Sequence, residues 1–136
     1  MNPITATCVP TNQRLSHTDH LFGQAFPLLL EPTVYGWASR LSPDYKGGYW
    51  QFFHLSNGGF CMAPEADHAF RVIADNGYEG RLSADAFGIV CCMYAYSQLS
   101  FIDNPAMAQV FAQHFHWLRD YLLDQPEAED ILRAID

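Results

Sequence analysis

The spacing of apolar residues becomes regular only past residue 30. Before that, Pro3, Pro10 and scattered Thr, Asn and His residues show no period, which predicts an irregular or extended arm over residues 1–30. Val34, Trp37, Ala38 and Leu41 then fall at i, i+3, i+4 and i+7. They mark one face of a short helix that Pro32 opens and Pro43 stops. The period next shortens. Tyr49–Leu55 is an aromatic-rich strand, Ser56-Asn57-Gly58-Gly59 is a tight turn, and Phe60–Ala63 is the partner strand, ended by Pro64. Phe70–Ala74 and Tyr78–Leu82 repeat the arrangement around Asp75-Asn76-Gly77. Two successive hairpins predict a four-stranded antiparallel meander.

The helical period returns at residue 84. Ser83 can cap a helix running to about Ser100, and Asp85 in its first turn suits the positive end of the dipole. This segment is apolar nearly all round, as a buried central helix is. Asn104-Pro105 starts another helix. Its Met107, Val110, Phe111, His114, Phe115, Leu118 and Leu122 share one side. Pro126 begins a last helix, with Ala128, Ile131, Leu132 and Ile135 in register. The expected fold is α+β: a four-stranded sheet packed with about four helices, a single compact domain over residues 31–136 that follows the arm.

Composition narrows the function. Charged residues make up 16% of the chain, against about 25% in ordinary domains. Much of it is therefore buried, or apolar surface is reserved for a partner. The net charge is −8 and Lys46 is the only lysine. A phosphate backbone would be repelled, so direct nucleic-acid binding is not expected. An acidic surface can instead meet a basic protein surface. The longest apolar run, Ala86–Tyr96, is too short for a membrane span, and the N-terminus lacks the marks of a signal peptide. Cys8, Cys61, Cys91 and Cys92 form no metal-binding spacing and read as free thiols. Together these predict a cytoplasmic protein.

No motif assembles a catalytic site. His17, His20, His54, His68, His114 and His116 include no H-E-x-x-H, no G-x-S-x-G is present, and the glycines are explained by turns. We therefore expect no catalytic, metal or cofactor-binding set. Asp67-His68 and Asp44-Tyr45 are isolated acid/base pairs of the kind found on solvated surfaces. Residues 119–136 carry an acidic bias. Asp44, Asp130 and Asp136 are the candidate protein contacts. A second surface is possible on the first strand. There Trp50, Phe52 and His54 point opposite to Tyr49, Gln51, Phe53 and Leu55. If helices cover one face only, aromatics on the other stay exposed for a partner. The arm or the C-terminal helices can equally cover it.

Three stretches together resemble the ArdB/KlcA antirestriction family. The first runs from Val34-Tyr35-Gly36-Trp37 through Asp44-Tyr45-Lys46-Gly47-Gly48-Tyr49-Trp50 to Leu55-Ser56-Asn57-Gly58-Gly59-Phe60 and Met62-Ala63-Pro64. The second is Tyr78–Val90, and the third is the ending Ile131-Leu132-Arg133-Ala134-Ile135-Asp136. The resemblance implies a protein of plasmids and other mobile elements that protects incoming DNA from host type I restriction endonucleases. It implies action without catalysis or cofactor, with the restriction complex as partner, directly or through an intermediary. Two other readings stand beside it: an acidic DNA mimic competing for the enzyme's DNA-binding groove, and a small hydrolase.

Overall fold

The computed structural model describes residues 3–136. Five strands and five α-helices occur among them: β1 (Ala6–Cys8), α1 (Arg14–Phe22), α2 (Glu31–Leu41), β2 (Trp50–Leu55), β3 (Phe60–Pro64), β4 (Phe70–Ile73), β5 (Glu79–Leu82), α3 (Ala84–Leu99), α4 (Pro105–Leu122) and α5 (Ala128–Ile135). Both predicted hairpins form, β2 with β3 and β4 with β5.

The single four-stranded sheet does not form. The strands make a three-stranded sheet in the order β1-β2-β3 and a separate two-stranded sheet, β4-β5. What prevents the meander is α3. Its side chains occupy the edge of β3 that β4 would have paired. The Cys92 thiol accepts from the Met62 amide at 3.4 Å and donates to the Met62 carbonyl at 3.6 Å. The Tyr96 hydroxyl donates to the Phe60 carbonyl at 2.6 Å. A helix thus satisfies backbone groups that an edge strand leaves open. Gly88 allows this approach: a Cβ there would lie 2.4 Å from the Met62 carbonyl oxygen. The helix is buried almost throughout, as its all-round apolar pattern predicts.

The N-terminal segment is more ordered than its aperiodic sequence suggests. Its strand β1 pairs with β2, Ala6 opposite Leu55 and Cys8 opposite Phe53. A 3-10 turn at Thr11–Gln13 leads into α1, and a π-helical turn at Phe26–Leu30 runs straight into α2. Pro32 lacks the N–H that the Leu28 carbonyl would otherwise receive, so a widened turn sits where regular α spacing would break. Phe22, Phe26 and Leu30 join the core. Phe26 meets Phe52 and Phe60 edge-on at 5.4 and 5.7 Å, and the Arg14 guanidinium lies 4.1 Å over the Phe52 ring.

The C-terminal helices close the other sides. Ser83 and Asn104 cap α3 and α4 by accepting from Ala86 and Met107 amides. The turn at Asn57 hooks onto α4, whose Trp117 carbonyl accepts from the Asn57 side chain at 2.9 Å. Tyr94 of α3 and Asn76 of the β4–β5 turn donate to the last carbonyls of α5. These are the groups a helix C-terminus leaves open. No helix among the described residues is long and apolar enough to cross a membrane.

Candidate functional site

The three candidate carboxylates flank the β4–β5 hairpin without meeting. Asp44 is exposed, and its Oδ2 accepts from the Arg71 backbone amide at 2.8 Å, pinning the loop before β2 to β4. Asp130 and Asp136 belong to α5 and its C-cap. Asp130 lies 3.8 Å from Arg133, and Asp136 lies 3.8 Å from Arg119. No hydrogen bond or ion pair joins the three to one another among the described residues. Other acids are also individually paired: Asp75 with Arg40, Glu79 with Arg71. Glu127 accepts from the Ser83 amide and hydroxyl, tying the start of α5 to the start of α3.

The motif residues do structural work. Gly47, Gly48 and Gly58 have positive φ. The Tyr45 hydroxyl accepts from the Trp50 indole at 3.0 Å, and the Tyr49 hydroxyl bonds that of Thr11. Asn57 Oδ1 accepts from the Gly59 amide, and a Cβ on Gly59 would sit 2.9 Å from that of Trp117.

The histidines are dispersed over several elements. His17 and His20 sit on α1, and His17 meets the His54 ring at 5.2 Å. Burial, then His54 and His20, hold the His17 pKa below the ordinary value. His114 is 2% exposed among Phe22, Tyr96 and Trp117, and burial lowers its pKa to about 4. His68 lies at the surface, beside Phe70. No group of three or more His, Cys, Asp or Glu among the described residues is placed to hold a metal ion.

The first four residues of β2 alternate between a buried and a half-buried face, and at the hairpin end the order reverses, with His54 exposed and Leu55 buried. Trp50 and Phe52 are buried, at 2% and 5% exposure, under the N-terminal helices and α2. On the opposite face Gln51 and Phe53 are only half-buried. There a cavity of about 220 Å³ lies between the sheet and the helices, lined by Ala6, Phe53, Cys61, Ala63, Asp85, Ile89 and Tyr121. Sequence reasoning raised this face but not this pocket; Asp85 entered it only as a helix-start residue. Two clefts adjoin, both sharing Asp85, one bounded by Ser83, Tyr121 and Glu127 and the other by Gln51, Glu65 and Asp67. Burial drives the Cys61 thiol well above its usual range, with smaller effects of Cys92 and Asp85. The Tyr121 phenol is raised by burial, then by Cys61 and Asp85. Cys61 is therefore a protonated thiol and no nucleophile at neutral pH.

Comparison with known proteins sets this geometry beside named relatives. The model of a family described as antirestriction protein matches residues 43–136. Antirestriction protein KlcA of Escherichia coli is 42% identical over 99% of this chain and 95% of its own. The Escherichia coli K12 protein YafX, itself uncharacterized, is 40% identical over 98% of this chain and 88% of its own. A solved structure matches with a TM-score of 0.91 and 39% identity, covering 99% of this chain and 96% of that one. It comes from work on KlcA and ArdB describing a novel fold and antirestriction activity against type I DNA restriction systems in vivo but not in vitro.

Proposed function

The chain belongs to the antirestriction protein family, and from that membership we propose that it counteracts host type I restriction endonucleases by protein contact, without catalysis or cofactor. The observation that carries this reading is the solved structure at TM-score 0.91, whose reported activity is against type I systems. That activity is described in vivo but not in vitro, which favours contact through a cellular intermediary. Residues 31–136 are read as the antirestriction domain and residues 1–30 as an arm that closes one face of its sheet. The site of action is the cytoplasm, where incoming DNA meets the restriction complex.

The arrangement of carboxylates favours protein contact over DNA mimicry. Around the β4–β5 hairpin Asp75, Glu79, Asp130 and Asp136 are each ion-paired and Asp44 accepts from a backbone amide, so the acids there do not form a row of unneutralised charges of the kind a phosphate backbone presents. The hydrolase reading loses support because Cys61, Cys91 and Cys92 are buried with raised pKa values. With seven basic residues against fifteen acidic ones, the chain is not expected to bind nucleic acid itself. Asp44, Asp130 and Asp136 remain the proposed contacts.

The test is a pull-down of the complete type I complex by the intact protein, with and without cell extract, alongside plating of unmodified phage on a restricting host. Protection in the host, with capture only in extract, is the expected result. Failure of the protein to raise plating at all would overturn the antirestriction reading. Full protection by Asp44→Asn, Asp130→Asn and Asp136→Asn, singly and combined, would remove the three carboxylates from it.

A further inference from the structure

We propose that the groove between α1 and α4 is a docking site for a short, extended and uncharged segment of a partner protein, held by a hydrogen bond from the His114 ring. The proposal rests on the protein-contact reading above and names where that contact lies and what it takes.

The groove encloses about 530 Å³. One wall is α4 from Ala106 to Trp117, and the other is α1 at His20 and Leu21 together with the β2–β3 turn at Gly58. The α4 wall runs about 16 Å at 1.5 Å a residue, the length of about five residues of extended chain.

The observation that calls for an occupant lies at its base. His114 is 2% exposed and lines the groove, yet its ring makes no hydrogen bond among the described residues. Nδ1 is sealed from solvent without a partner. Nε2 is unbonded too but not sealed, so it is the ring nitrogen that reaches the groove. Burial keeps the ring neutral, and a neutral imidazole carries one N–H. A sealed N–H without a partner is rarer than a sealed acceptor. The proton therefore sits on Nε2 and points a donor into the groove. Buried polar side chains are ordinarily hydrogen-bonded; here the bond is left for an acceptor from outside the chain, such as a peptide carbonyl.

The lining decides the class of occupant. No Asp, Glu, Lys or Arg among the described residues lines the groove, in a chain of net charge −8 with fifteen acidic residues. A charged occupant would give up water there and gain no counter-ion. Gln109 and Gln113, one turn apart on α4, each present a carboxamide donor and acceptor, which match the carbonyl and N–H of a peptide unit. Leu21, Val110 and the Trp117 indole offer apolar surface to its side chain. The Trp117 wall is already in place. The Asn57 side chain bonds its carbonyl, and its ring lies 3.4 Å from where a Cβ on Gly58 would be. A wall fixed in advance loses little freedom on binding.

The probe is the capped tripeptide Nα-acetyl-Ala-Phe-Ala methylamide, titrated into the intact 15N-labelled protein, with the Ala-Glu-Ala and Ala-Lys-Ala peptides as charged controls. The uncharged peptide is expected to give saturable shifts at Leu21, Gly58, Val110, Gln113 and the Trp117 indole, and to move the His114 Nε2 resonance. Both charged peptides should bind about tenfold more weakly or worse. His114→Phe keeps a ring in the core and deletes the donor, so it should weaken binding about tenfold. Gln109→Trp, at an exposed helix position, lays an indole across the groove and should abolish the shifts. No saturable binding, equal binding of the charged peptides, or unchanged binding in His114→Phe would overturn the proposal. So would full phage protection by Gln109→Trp together with loss of peptide binding, since the groove would then not serve the contact. If the wild-type protein binds the uncharged peptide but fails to protect phage, the antirestriction reading fails while the peptide site stands.

Discussion

The two faces of the β1–β3 sheet are built from alternate residues of the same strands, yet they are covered differently: one is packed with aromatic rings, and the other, though Leu55, Cys61 and Ala63 are buried on it, keeps a cavity beside Phe53. On one face Phe52 and Phe60 meet Phe22 and Phe26 in a set of edge-on aromatic contacts 5.4 to 5.7 Å apart. On the other, Phe53 and Cys61 border a cavity that also reaches Asp85 and Tyr121. The closed face is dense because the N-terminal arm folds over it, bringing the Phe22 and Phe26 rings. The open face is bordered by α3, through Asp85 and Ile89, and by α4, through Tyr121, with the cavity between them and the sheet. A fold can therefore be stabilised on one surface of a sheet while leaving the other available for binding, and neighbouring residues should then differ sharply in what they contribute.

The sharpest test uses adjacent positions. Phe52→Ala removes a buried ring at the centre of the aromatic set and should cost about 4 kcal/mol in urea unfolding. Phe53→Ala, half-exposed on the cavity side, should cost about 1 kcal/mol. Equal losses would mean that the open face contributes to the core as much as the closed one, and the contrast would fail.

His114 extends the closed side into pH dependence. Its ring lies 4.6 Å from Phe22 and 5.6 Å from Tyr96, and burial brings its pKa down to about 4. In the unfolded chain it titrates near 6.5. The unfolded state thus takes up the proton first as pH falls. Stability is complete above about 6.5 and declines through about 4, by roughly 3 kcal/mol for this group alone. Urea midpoints followed between pH 7 and 4 should show that slope, and His114→Phe should flatten it.

The parts legible in the sequence were those fixed by local chemistry. Asn57-Gly58-Gly59 and Asp75-Asn76-Gly77 announce turns because Gly58 and Gly77 must take positive φ. Ser83 and Asn104 announce helix starts because their side chains accept from the first-turn amides. The resemblance to the antirestriction family was legible too, since its motif residues are these same turns and rings. The split into two sheets was not. It depends on Cys92 and Tyr96 reaching across to β3, which no periodicity records. The aperiodic arm hid α1 because only Thr18 and Phe22 of that helix are buried, too few to mark a face. The cavity was hidden for a similar reason: Asp85 reads as a helix-start residue, and only the tertiary fold sets it beside Cys61 and Tyr121.

The edge between the two faces can be tested with a pair of glycines. Replacing glycine by alanine inside a helix ordinarily stabilises by about 1 kcal/mol. At Gly36 in α2 no atom lies within 4 Å of the added Cβ, so Gly36→Ala should show that gain. At Gly88 the Cβ meets the Met62 carbonyl oxygen and Ala63 at 2.4 and 2.5 Å. Both are held by a strand that cannot retreat without breaking its pairing with β2. Gly88→Ala should therefore reverse the sign and cost about 2 kcal/mol. A stabilised Gly88→Ala would show that α3 does not sit tightly on β3.

The smallest effect probes how α3 replaces a strand. The Phe60 carbonyl points away from β2, and the Tyr96 hydroxyl supplies its hydrogen bond at 2.6 Å inside the core. Tyr96→Phe keeps the ring and deletes only that donor, leaving a buried acceptor unmet, so the loss should be about 1 kcal/mol. Its location is more informative than its size. If α3 holds the β3 edge through these side chains, amide exchange should quicken along β3 more than in the β4–β5 hairpin, whose ladder is its own. A uniform change across both sheets would mean that the apolar contact of α3 holds the edge, with the hydroxyl incidental to it.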